Sequence, residues 1–148
     1  MSTIKVDTYL TRGGASEIAI DKLKGVTAAG SMLVVGEGGT NTTNLQQGLT
    51  KQWVNLDGTG TIATRDSFNT GSITDNGTGD YSAAFTSAMG NTNYGNSGEG
   101  GTGGGGTSHM FLCGHSKATG STRVTNLSDG GGAADRNIHC FITYGDLA

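Results

Sequence analysis

The sequence predicts a mainly β protein. An extended N-terminal arm with one short helix is expected over residues 1–52, and an antiparallel β-sandwich over residues 53–148, the whole assembled as a homotrimer. Three observations carry this. The 148 residues include 28 glycines and no proline, and the balance of the chain is rich in Thr, Ser and Asn. Gly costs about 1 kcal/mol against Ala inside a helix, whereas Thr sits well on a pleated sheet. Trp53 to Phe85, "WVNLDGTGTIATRDSFNTGSITDNGTGDYSAAF", is a succession of short alternating runs separated by turn signals. Hydrophobic residues make up only 33% of the chain, so the core is modest and oligomerisation is a natural source of further burial.

Along the arm, Ile4 and Val6 alternate with Lys5 and Asp7, and Ile18 and Ile20 share a face in "EIAIDKL". Both runs are too short to stand alone, because a two-stranded unit is marginal in water. One compact apolar run, Met32 to Val35, ends at Gly36-Glu37-Gly38-Gly39. Then the period changes: Leu45, Leu49 and Trp53 follow at intervals of four, which predicts one helical face and makes these three the candidate trimer interface. Thr42, Thr43 or Asn44 can cap the start of that helix.

In the sandwich region, Trp53, Asn55 and Asp57 alternate with Val54 and Leu56, and "DGTG" reads as a hairpin turn. Thr61–Thr64 is the next strand. Two more flank Asn76-Gly77, the strongest short-range turn signal of the chain. Residues 90–108, "GNTNYGNSGEGGTGGGGTS", read as a long loop, and "SDGGGAADRN" as a second one. Strands are expected at "HMFLCGH", after "SKATGS", and at "IHCFITYGDLA". The last has apolar character on both faces and is expected inside a sheet.

Charge and hydropathy exclude several function classes. The formal net charge is −3 and no basic stripe occurs, so nucleic acid is not an expected partner. No run of about 18 apolar residues exists, so membrane insertion is not expected. "MSTIKVDTYLTRGG" lacks an apolar signal region, and the two cysteines are expected reduced in a cytoplasm, with a Cys113–Cys140 pair left open.

Candidate chemistry is sparse. His109, Cys113 and His115 would share a strand face, but their spacing fits no standard zinc motif. Interior cysteine and hydrogen-bonded histidine is the plainer account, and no metal or cofactor is expected. No G-x-S-x-G elbow and no paired acidic constellation stands out. "GEGGTGGGGTS" lacks the Lys-Ser/Thr ending of a phosphate loop. Binding of a surface glycan needs an aromatic platform with amide, carboxylate, guanidinium or imidazole partners. Asn91, Asn93, Tyr94, His115, Arg123, Asp135 and Arg136 supply such groups from expected loops and strand ends, and form the candidate receptor-binding set.

The stretch from Lys51 to Tyr94 resembles a module of tail-fibre and other virion structural proteins of tailed bacteriophages. The residues that carry the likeness are Trp53-Val54-Asn55, Asp57-Gly58-Thr59-Gly60, Asp66-Ser67-Phe68-Asn69, Ser72-Ile73-Thr74-Asp75, Gly79-Asp80-Tyr81, and Phe85-Thr86 leading to Asn93-Tyr94. "ITYGDLA" looks like the closing strand of the same module, and "STIKVDTYLT" and "TNLQQGLTKQW" like its leader segments. The resemblance implies a non-enzymatic homotrimeric virion protein, assembled in the host cytoplasm. Its N-terminal arm would attach to other virion proteins, and its head would contact a host glycan or protein receptor. The favoured role is a short tail fibre or fibre tip. The alternatives are a capsid decoration or head-fibre protein and, second, a glycan depolymerase.

Overall fold

A computed structural model describes residues 22, 32–102, 111–128 and 130–148, the side chains of 111–115 excepted. The expected strands at Ile4–Val6 and Ile18–Ile20, and His109, lie outside the described residues. The chain is mainly β and its sheets are antiparallel. In order come β1 (Leu33–Val35), β2 (Thr42–Asn44), α1 (Leu45–Gly48), β3 (Thr50–Asp57), β4 (Ala63–Phe68), β5 (Thr70–Gly77), β6 (Asp80–Phe85), β7 (Gly95–Gly101), β8 (Phe111–Ala118), β9 (Ser121–Leu127) and β10 (Ile138–Tyr144). β1 and β2 form a separate ribbon. The remaining strands form two sheets of four, ordered β4-β3-β10-β7 and β5-β6-β9-β8.

The sheets pack face to face through the alternation visible in the sequence. Val54 and Leu56 of β3 and Phe141 of β10 meet Tyr81 and Ala83 of β6 and Val124 of β9, all 1% exposed or less. A second cluster, Phe85, Met89 and Tyr94, closes the side of the sandwich where β6 leaves for β7. Between the two lies a polar layer. Gln52 donates to Thr70 Oγ1 at 3.2 Å, Thr143 donates to Asn96 Oδ1 at 3.0 Å, and Asn96 donates to Thr122 Oγ1 at 2.8 Å. The inner stripe of β10 therefore reads polar, apolar, polar: His139, Phe141, Thr143, all buried. A low apolar content suffices because the polar members of the core bond to one another.

β3 begins at Thr50, ahead of the boundary expected after residue 52, with Lys51 and Gln52 already buried. The helical face expected through Leu45, Leu49 and Trp53 does not form. α1 ends at Gly48, Leu49 is extended, and Trp53 is in β3. Two causes are visible: Lys51 donates to the carbonyls of Gln46 and Leu49, and the sheet ladder captures the chain from Thr50 onward. Asn44 is the cap, accepting from Gln47 N at 3.1 Å.

The "DGTG" turn forms as expected, with Asp57 Oδ1 accepting from Thr59 N at 3.0 Å. The Asn76-Gly77 turn is displaced. Gly77 still pairs with Asp80 across a bulge, and the reversal falls on Thr78-Gly79. Gly79 sits at φ +64, and a Cβ there would meet Ala134 N at 2.6 Å. Gly79→Ala is expected to cost at least about 1–3 kcal/mol by urea unfolding, from the left-handed backbone alone.

The largest departure is β7. The expected loop over 90–108 instead contributes a seven-residue strand, Gly95–Gly101, paired with β10 along its whole length. Ladder bonds are made by backbone groups, so glycine leaves them intact, while β10 supplies the buried side chains. β10 is internal, as its two-faced pattern predicts.

Candidate functional site

Strand direction gives the sandwich two unlike ends. At one, the near end, lie β1, β2, α1, the Asn69 corner between β4 and β5, the 86–94 connection, the Thr119-Gly120 turn and the C-terminal residues. Met89 bridges to Leu147, Gly90 N donates to Asp146 O at 2.7 Å, and Met89 N to Thr119 O at 2.8 Å. Asn69, at φ +55, ties the corner by donating to Lys51 O and accepting from Ser87 N at 2.6 Å. At the other, the far end, lie the 58–62 and 78–79 turns, the connection from β9 to β10, the end of β7 and the start of β8.

The far end is held by a polar latch. Asp135 Oδ1 accepts from the Tyr81 hydroxyl at 2.7 Å and from Gly79 N at 2.6 Å. Gly58 N donates to Arg136 O at 2.8 Å, and a Cβ on Gly58 would collide with the Tyr81 hydroxyl. Burial, then the Asp135 carboxylate, pushes the Tyr81 phenol well above its ordinary value. His139 packs edge-on against Tyr81, centroids 4.7 Å apart, and Asn126 Nδ2 lies 2.7 Å from its Nε2. Burial lowers the His139 imidazole to about 4, so it is neutral near pH 7. Tyr81→Phe is expected to lower stability by about 1–2 kcal/mol in urea, by stripping a hydrogen bond to a charged acceptor.

The near end combines a cleft with apolar surface. Asn44, Gln46, Gln47, Leu49, Lys51, Asp146, Leu147 and Ala148 line about 690 Å³. Burial depresses the Lys51 ammonium, against the opposing pull of Asp146, whose carboxylate accepts from Gln47 Nε2 at 3.2 Å. Leu49, Phe68, Tyr144 and Leu147 are exposed around this end. Trp53 pairs in register with Phe68 and Ile142 on the outer face of its sheet. Leu45, Leu49 and Trp53 thus belong to one end of the molecule but not to one helix.

The candidate receptor residues are not brought together. Asn91 and Asn93 are exposed at the near end, Asp135 and Arg136 stand at the far end, and Arg123 is on the outer face of β9. There Arg123 Nε donates to Asp80 Oδ1 at 2.8 Å. His115 sits at a bulge of the edge strand β8. Tyr94 is a correction: at 2% exposure it is a core residue and offers no platform. Its hydroxyl meets Ser121 O at 2.8 Å, its ring meets Phe85 edge-on, and Lys117 lies over the ring at 5.3 Å. The alternation Tyr94, Asn96 into β7 could have revealed this, had the glycines not hidden the strand. Asp135 likewise spends its carboxylate on the latch. Cys140 is a free thiol on the outer face of β10, raised by burial and by Glu99. Cys113 is on β8, in the other sheet.

No family model, curated protein or solved structure matches this chain.

Proposed function

We propose that this chain is a non-enzymatic structural protein of a tailed-phage virion, a short tail fibre or fibre tip that assembles as a homotrimer and binds the host cell surface. The observation that carries the reading is the fold of the stretch with the resemblance. Residues 53–94 supply most of β3 and all of β4, β5 and β6, two strands of each sheet, so the likeness spans the body of the sandwich and not a peripheral hairpin. The arm attaches to other virion proteins. The head meets a glycan or protein receptor through weak contacts, which three heads per fibre and several fibres per virion raise in avidity by roughly 10²–10⁴. With the candidate residues dispersed, the exposed pair Asn91 and Asn93 and the far-end Arg136 become separate first targets.

Immunogold electron microscopy of intact virions, with antibody raised against residues 53–148, tests the reading. Label at the tail or its tip is the expected result. Label over the head would make the chain a capsid decoration protein, and unlabelled virions would overturn the virion reading altogether. New reducing ends released from host polysaccharide would overturn the non-enzymatic part.

A further inference from the structure

The near-end cleft holds a buried charge with hydrogen-bonding capacity left over. Lys51 is 6% exposed and lines the cleft. An ammonium carries three N–H groups. Two are given to the carbonyls of Gln46 and Leu49, both residues of the cleft wall. The third meets no acceptor among the described residues. Asp146 supplies the opposite capacity. Its two carboxylate oxygens each accept from Gln47 Nε2 at 3.2 Å, and a carboxylate has about four acceptor sites, so further donors can be taken. The Gln46 side chain is exposed beside them, and Leu49 and Leu147, 53% and 44% exposed, add apolar surface to the same wall.

We propose that this cleft binds an uncharged pyranose, one unit of a surface glycan. Charge decides against ions: an anion would meet the Asp146 carboxylate and a cation the Lys51 ammonium. A sugar hydroxyl donates and accepts at once. Neighbouring hydroxyls can accept the spare Lys51 N–H and donate to Asp146, while the C–H face of the ring rests on Leu49 and Leu147. The volume of about 690 Å³ lies within the ~300–1,000 Å³ of small-molecule sites, which pair apolar lining with a few placed polar groups. An extended peptide fits less well, because it is held by main-chain bonds. The carbonyls of Gln46 and Leu49 are spent on Lys51, and that of Asp146 on Gly90 N. The same bond to Gly90 stitches the cleft wall to the connection that carries the exposed Asn91 and Asn93.

The proposal rests on the surface-binding part of the reading above, and gives the receptor a chemical class and a seat. It is tested on the full chain by proton–nitrogen NMR titration with the methyl glycosides of glucose, galactose, mannose and N-acetylglucosamine, up to tens of millimolar. At least one is expected to give saturable shifts centred on residues 46–51 and 146–148. Asp146→Ala should weaken that binding at least about tenfold, by removing a charged acceptor. Thr78→Ala, at the far-end turn, should leave it unchanged. If Asp146→Ala fails to fold, Gln46→Ala, on an exposed side chain, decides, with an expected loss of about threefold. Undiminished binding in the deciding variant, or shifts centred elsewhere, overturns the cleft as the seat but not glycan binding by the head. No saturable shift with any glycoside, or saturation of the cleft by N-acetyl-triglycine amide in their place, overturns the proposal and leaves the virion placement to the labelling experiment.

Discussion

Phe141→Ala is expected to lower the unfolding free energy by about 3–5 kcal/mol. Phe141 is fully buried at the middle of β10, itself the internal strand between β3 and β7. Its ring joins Val54 and Leu56 of its own sheet to Tyr81, Ala83 and Val124 of the other. Buried polar residues flank it along β10 on both sides, His139 and Thr143, so the strand itself offers no apolar side chain to refill the space. Domains of this size have roughly 5–15 kcal/mol in total, so the variant would be marginal at room temperature. Urea unfolding followed by far-UV circular dichroism measures it. A loss below about 1 kcal/mol would mean that the two sheets do not pack across this residue.

Acid is expected to destabilise the protein through His139. Its folded value is about 4, against an ordinary 6.5, chiefly because burial disfavours the imidazolium. The charge of Arg136 lowers it further, while those of Asp135 and Asp57 pull the other way. The folded state thus binds fewer protons than the unfolded state between these two values, and stability falls as the pH drops through that window. The contribution is fully present above pH 6.5, and the loss amounts to about 3 kcal/mol once the pH is below 4. Most of that loss is expected by pH 5. Asp57, whose carboxyl is held down by its hydrogen bonds to Thr59, also loses stability on acidification, but only near and below its ordinary value of 3.8, so the two contributions separate. Denaturant midpoints measured from pH 7.5 to 4.5 should decline for the wild type and flatten for His139→Gln. Parallel curves would show that His139 is not the titrating group.

The alternation of Val54 and Leu56 against Trp53 and Asn55 placed β3 from the sequence, and the two-faced pattern of "IHCFITY" placed β10 inside a sheet. Both inferences work because period 2 follows from the pleat itself. β7 was illegible for the complementary reason: "GNSGEGG" has no side chains to alternate, and its place comes from β10 through backbone bonds. The Leu45–Leu49–Trp53 spacing misled because three coincident positions over two turns are weak against a sheet ladder that begins at Thr50. The candidate site was the least readable part. Asn93 and Tyr94 are adjacent in sequence, yet one is exposed and the other is core. Asn91 and Asp135 share hydrogen-bonding chemistry, yet the topology sends them to opposite ends. Which loops share an end depends on where each connection crosses between sheets, and that is a property of the whole strand order.

The alternating composition of the β10 inner stripe also selects its register against β3. Thr143 stands opposite Gln52, Phe141 opposite Val54 and His139 opposite Leu56. A slip of one residue would turn the stripe outward. The smallest slip that keeps it inward is two, which would set Thr143 against Val54 or Phe141 against Gln52, and strand a buried hydroxyl or amide without its partner. Each such orphan costs about 1–3 kcal/mol once buried, so the misaligned pairing is penalised when the second sheet docks and takes the stripe out of water. A uniformly greasy stripe would tolerate the error; this one rejects it, and so a chain with little apolar material can still commit to a single alignment.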